Sequence, residues 1–240
     1  MTAQEARRDV PVMPEPVGLA APPAAPGEQP RPQVSSARLV LTLAVAGALA
    51  GGLLMGAYQA TLPAITANKQ AALERAVQEV LQQPARWEPL FLVDGRVVAE
   101  VPAGQDARSP ERVYLGFDDA GAPVGFAVSA AQPGFQDVIR LIYGYDPRSG
   151  RLLGMKVLES KETPGLGDKI EKDLRFVGQF AGKAPPLLGV KPGEAGEDPA
   201  KVDMITGATI SSRAVVRILN DSLARVGPAL RAYSPAEAPR

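Results

Sequence analysis

Two short stretches of the chain combine small residues, hydroxyls and backbone freedom in a way that suits ligand chemistry. The first is Asp203-Met204-Ile205-Thr206-Gly207-Ala208-Thr209-Ile210-Ser211-Ser212, which runs directly into an amphipathic segment. Gly207 and Ala208 let a ligand approach the main chain, and Thr206, Thr209, Ser211 and Ser212 bring hydroxyls. The start of the following helix adds unpaired N–H groups at the positive end of its dipole. That combination suits a phosphate. Hydroxyl residues before a helix are ordinarily N-caps, so a plain capping role for Ser211 or Thr209 is the competing reading. The second stretch is Glu162-Thr163-Pro164-Gly165-Leu166-Gly167-Asp168-Lys169. Pro164-Gly165 favours a tight turn, and Gly165 and Gly167 can take positive φ and expose N–H and C=O groups. Such a loop can hydrogen-bond the edge of a planar ring without ionisable side chains. Standing alone, it reads as a strand-to-helix turn.

Composition narrows the chemistry. The 240 residues contain no Cys and no His. Structural zinc held by Cys and His, thiolate-bound iron–sulfur clusters and His-ligated haem are therefore excluded, as are Cys–His and Ser–His nucleophilic relays. The 26 Lys+Arg balance 26 Asp+Glu, and no basic stripe argues for nucleic acid. Redox or group-transfer chemistry must rest on a borrowed cofactor or on carboxylates and lysines.

The string D-x-x-T-G-A-T from Asp203 to Thr209 resembles the flavinylation motif of the FMN-binding domain family. That family is found in the G subunit of Rnf-type electron transport complexes and the C subunit of sodium-translocating NADH:quinone oxidoreductases. Gly144-Tyr145-Asp146-Pro147, Leu153–Glu159 and the ETPGLG loop together resemble a block of the Rnf G subunits, departing from it at Ser160-Lys161, where histidine is common. The resemblance implies FMN joined by its phosphate to the Thr209 hydroxyl, installed by a flavin transferase that recognises Asp203. Thr206, Gly207, Ala208, Ser211 and Ser212 would surround the phosphate. Glu162, Thr163, Pro164, Gly165, Leu166, Gly167 and Lys169 would border the flavin, with Lys161 or Lys169 offered to its anionic reduced form. The implied function is an electron relay within an ion-translocating ferredoxin:NAD oxidoreductase, with other membrane and redox subunits as partners. The implied location is the bacterial inner (cytoplasmic) membrane, single-pass, with the FMN domain on the periplasmic side. Two rival readings are a membrane-anchored flavin reductase or dehydrogenase with a small-molecule acceptor, and a flavin-free scaffold module.

The elements that must position these residues are partly legible. Residues 1–38 are Pro-rich and are expected to be a disordered cytoplasmic tail. From Leu39 to Asn68 there is no charged residue, and about 20 apolar residues are enough to cross a bilayer, so 39–62 reads as a transmembrane helix. Arg31 and Arg38 on one side against Lys69 and Arg75 on the other leave the positive-inside count undecided. An amphipathic helix and linker are expected over 63–88 and the FMN-binding domain over 89–227. Within it, strands are expected around Leu90–Val93, Arg96–Val101, Arg112–Phe117, Val124–Ser129, Val138–Tyr145 and Arg151–Glu159, with Asp94-Gly95 as a tight hairpin. One helix is expected from near Asp168 through Phe180, then a Gly/Pro-rich loop. A last helix should stop at Gly227-Pro228 before a flexible 228–240 tail. The fold class is α+β: a single N-terminal transmembrane helix, then a mixed, mostly antiparallel sheet with flanking helices.

Overall fold

Strand positions that alternate between two apolar faces need covering from both sides, and the computed structural model of this chain provides both covers. It describes residues 35–101 and 111–234, so the expected 1–38 tail lies almost wholly outside the described residues, as do 235–240. Two units divide between Ala60 and Thr61. The first holds the leading part of α1 (Ser36–Val80), the one helix among the described residues long and apolar enough to cross a membrane. Its Leu39, Leu43, Leu49, Leu53 and Leu54 are exposed. The helix continues through Pro63 to Val80.

The second unit is built on a six-stranded antiparallel sheet, ordered β2-β1-β3-β4-β5-β6. Its strands are β1 (Arg86–Val93), β2 (Arg96–Val98), β3 (Glu111–Phe117), β4 (Pro123–Pro133), β5 (Val138–Asp146) and β6 (Arg151–Glu159). Asp94 and Gly95, both at positive φ, turn β1 into β2 with Val93 opposite Arg96, as the tight-hairpin signal requires. Then come α2 (Lys169–Lys172), α3 (Leu174–Gly178), a parallel pair β7 (Leu188–Val190) and β8 (Lys201–Asp203), and α4 (Thr209–Ala232).

One face of the sheet, with Val113, Leu115, Phe126, Val128, Leu141, Tyr143 and Leu152, packs with Ile170, Phe176, Phe180 and the apolar stripe of α4. The other, with Tyr114, Ala127 and Ile142, is covered by Ala76, Val77, Val80 and Leu81. Val80 and Leu81 are essentially fully buried, and removing each from water contributes roughly 2 kcal/mol. Glycines allow this close approach. A Cβ on Gly116 would lie 2.8 Å from Leu81 Cδ1, and one on Gly144 would overlap the carbonyl oxygen of Val80. Across the sheet, α4 is fixed by Tyr143 and Ser222, whose hydroxyls lie 2.8 Å apart, and by Arg225 forked onto Glu111.

Three expectations are corrected. The helix after Asp168 is two helices, because Asp173 is extended (φ −78, ψ 101) and its carboxylate caps α3 through the N–H groups of Arg175 and Phe176. The Gly/Pro-rich loop expected over 182–199 contains the strand β7, which pairs in parallel with β8 just beyond it. The last helix passes Gly227-Pro228 and ends at Ala232. Pro228 forfeits one helical hydrogen bond, offset by burying Val226, Ala229 and Leu230 around it.

Replacing Gly144 by Ala is expected to lower the stability of the second unit by about 2 kcal/mol through overpacking against Val80. The denaturant midpoint of the full chain in detergent reads this. Gly178→Ala, with nothing within 4 Å of the new methyl group, is expected to stay within about 0.5 kcal/mol of the parent.

Candidate functional site

The threonine motif forms a tight turn between β8 and α4. Met204 N–H donates to the Val190 carbonyl (3.0 Å), tying the start of the turn to the parallel pair. Ala208 N–H closes the turn onto the Ile205 carbonyl at 3.0 Å. Gly207 sits at φ +82, a conformation that costs glycine little and L residues more. Ser212, fully buried, accepts from Ile205 N–H at 3.1 Å and so welds the turn to the first turn of α4. Ala208 is buried, whereas Thr206, Gly207, Thr209 and Ile210 are exposed.

The N-cap of α4 is Ala208, which has no side-chain acceptor. Neither Thr209 nor Ser211 is the plain cap that hydroxyls before a helix usually are. Alanine is a poor cap, costing about 1 kcal/mol against Ser or Thr. The first intrahelical bond is donated by Ser212 N–H to the Ala208 carbonyl (2.8 Å), so the N–H groups of Thr209, Ile210 and Ser211 have no intrahelical acceptor. An exposed hydroxyl beside such donors is a setting for an anionic ester or phosphate.

The ETPGLG loop comes against this turn. Leu166 N–H donates to the Thr163 carbonyl (3.2 Å), Gly165 takes φ +77, and Leu166 Cδ2 lies 3.6 Å from where a Cβ on Gly207 would stand. Pro164 and Gly165 are exposed at the tip, while Gly167 is buried. Glu162 is only 5% exposed. Its Oε2 accepts from the Ser211 hydroxyl at 2.6 Å, and its Oε1 accepts from Phe135 N–H at 2.9 Å and Gln136 N–H at 3.0 Å. Thr163 Oγ1 donates to Gln136 Oε1 at 3.2 Å. Burial pushes the Glu162 carboxyl up, but the Ser211 hydroxyl and the backbone N–H groups of Gln136, Phe135 and Asp137 outweigh it, so its pKa lies below the usual value.

The two lysines are placed differently from one another. Lys169 lines an open cleft of about 600 Å³ together with Phe176, Gln179, Met204, Ile205 and Thr206, so that it borders the threonine turn. Lys161 instead pairs with Asp137 at 3.0 Å and is exposed. Asp203 accepts from Ala195 N–H through Oδ1 at 3.0 Å, and its backbone N–H and C=O both engage the Gln179 side chain. Sequence reasoning missed Phe135, Gln136 and Gln179. For the first two, the Pro133-Gly134 turn signal was the available clue; for Gln179 there was none.

Residues 134–224 match the FMN-binding domain family. The chain is 34% identical to the G subunit of an ion-translocating oxidoreductase complex from Methanosarcina acetivorans, over 78% of this chain and 92% of that one. It is 32% identical to the protein of the same name from Vibrio vulnificus, over 76% of this chain and 85% of that one. Among solved structures, NqrC of Shewanella oneidensis shares the fold, with a TM-score of 0.58 and 22% identity over 70% of this chain and all of that one.

Because the folded-state pKa of Glu162 is depressed, its contribution to stability is complete above the unfolded value of 4.5. It is lost as pH falls through the lower folded value. Denaturant midpoints measured from pH 6 downward are expected to fall less steeply below about pH 4.5 in Glu162→Gln than in the parent.

Proposed function

The chain belongs to the family of G subunits of ion-translocating oxidoreductase complexes, and on that premise we propose that it is a membrane-anchored electron-transfer flavoprotein carrying FMN on Thr209. The observation that carries this reading is the exposed Thr209 hydroxyl at the uncapped start of α4, inside the stretch that matches the FMN-binding domain family.

The residues present fit a phosphate ester. Unpaired N–H groups, a glycine at positive φ and a buried small residue at 208 leave room and donors for an anion beside Thr209 Oγ1. Attachment exchanges a phosphoanhydride bond of an activated flavin dinucleotide for a phosphoester on Thr209 Oγ1. The nucleoside monophosphate departs, and the hydroxyl proton passes to water. A flavin transferase performs this step, and Asp203, through Ala195 and Gln179, shapes the turn that the transferase meets. The backbone of Thr206, Gly207 and Ala208 steadies the phosphate, with Ser212 holding the turn behind it. Lys169, on the cleft wall beside Thr206, is the cation offered to an anionic reduced ring. Thr163, Pro164, Gly165, Leu166 and Gly167 form the second rim.

When bound, FMN supplies one- and two-electron redox chemistry, and the protein supplies tether, orientation and field. The partners are the other membrane and redox subunits of the complex. Helix α1 anchors the chain once in the inner membrane, with the flavin domain on the extracytoplasmic side.

Full chain co-expressed with a flavin transferase is expected to be yellow and to carry an FMN-sized mass adduct that Thr209→Ala removes. A colourless parent of unmodified mass, or an adduct that survives in Thr209→Ala, overturns the reading. A C-terminal reporter that is active only outside the cytoplasm is expected to be active, and a cytoplasmic C-terminus would overturn the topology.

A further inference from the structure

Glu162 belongs to the second motif, yet its carboxylate is not free to meet a ligand. It is buried, and both oxygens are engaged, by Ser211 on one side and by the Phe135 and Gln136 amides on the other. Two glycines close around it. A Cβ on Gly134 would lie 2.5 Å from Oε1, and one on Gly167 would lie 2.7 Å from the Glu162 Cβ. The carboxylate is therefore clamped between the β4–β5 turn, its own loop and the first turn of α4.

Ser211 is two residues beyond Thr209. With alanine as N-cap, the start of α4 has no capping side chain to set its orientation. Two serines fix it instead: Ser212 onto Ile205 N–H, and Ser211 onto Glu162. Thr209 inherits its direction from that turn. A buried carboxylate is costly unless every oxygen is satisfied, and packing alone would be met at lower cost by an apolar side chain. What the carboxylate adds is a short, charge-assisted hydrogen bond with a defined direction.

We propose that Glu162 is the positioning residue for flavin attachment: through Ser211 it holds the first turn of α4 so that Thr209 Oγ1 is presented outward to the transferase. The proposal rests on the reading that Thr209 carries the flavin. It assigns Glu162 to the geometry of the acceptor hydroxyl and not to contact with the flavin ring. Ser211 is the link, and the Phe135–Gln136 turn is the fixed point on the sheet.

The test measures covalent flavin loading of purified full chain in detergent, using a flavin transferase and a flavin dinucleotide. Rates are taken from in-gel flavin fluorescence and expressed per folded protein, at a temperature below every variant's unfolding midpoint. Glu162→Gln and Ser211→Ala are each expected to slow loading by about tenfold or more, as a displaced reacting group does. The double variant is expected to be no slower than the slower single variant, because the two residues act as one unit. Ser211→Ala leaves Glu162 and its bonds to the β4–β5 turn in place, so it decides the matter if Glu162→Gln does not fold. Loading of both single variants at the parent rate, with only their midpoints lowered, would show a purely structural role and overturn the proposal. Losses that multiply in the double variant would also overturn it. Failure of the parent to load, or loading of Thr209→Ala, would instead overturn the attachment reading.

Discussion

Burial of the central sheet on both faces is the constraint on which the rest of the second unit depends. Successive strand residues point to opposite sides, so Val113, Leu115 and Phe117 join the core under α4 while Tyr114 joins the one under residues 76–81. A sheet covered on one side would leave half of this apolar surface in water. The second cover comes at close range, which is why glycine stands at 116 and 144, beneath Leu81 and Val80. With both covers in place, α4 crosses β4 and β5 in a register held by side-chain contacts. The Tyr143–Ser222 and Arg225–Glu111 contacts mark that register at its middle, and Arg217, bonded to Gln132 and the Pro133 carbonyl, marks it near the end of β4.

That register delivers the start of α4 to the β4–β5 turn, where the two motifs meet. Glu162 receives donors from Phe135, Gln136 and Ser211, segments far apart in the chain. Its charge is balanced by a hydroxyl and backbone N–H groups and not by a cation. Lys169 and Arg175 line the cleft beside Thr206, together with the carboxylates Asp173 and Asp203. Neither Glu162 nor Ser211 lines that cleft, so the buried clamp is separate from the mixed charges around it.

In the proposed function this division matters. On that proposal, a chain without Cys or His would rest its redox chemistry on one organic group, held through a threonine hydroxyl. Such a tether would leave the ring chemically unmodified, so the protein would act on it through position and field. Rigid placement of the attachment point then bears directly on where electrons enter and leave.

Much of this was legible in the residues. The apolar run after Leu39, the six strand segments, the Asp94-Gly95 hairpin and both ligand motifs all follow from composition, periodicity and turn chemistry, which are local properties. The β7–β8 pair was hidden because strands of three residues, one inside and one just after a Gly- and Pro-rich stretch, carry almost no periodic signal. The passage of α4 through Pro228 was hidden because the burial that offsets the lost hydrogen bond is contributed by distant strands. The site divides in the same way. Local sequence determined the hydroxyls, the glycine turn and the helix start around Thr209. Only the tertiary structure decided that Glu162 reaches Ser211 across 49 residues, that Asp203 is engaged by Ala195, and that Lys169 rather than Lys161 borders the turn. Propensity acts over a few neighbouring residues, whereas a hydrogen bond between distant segments exists only once the layers of the fold have packed.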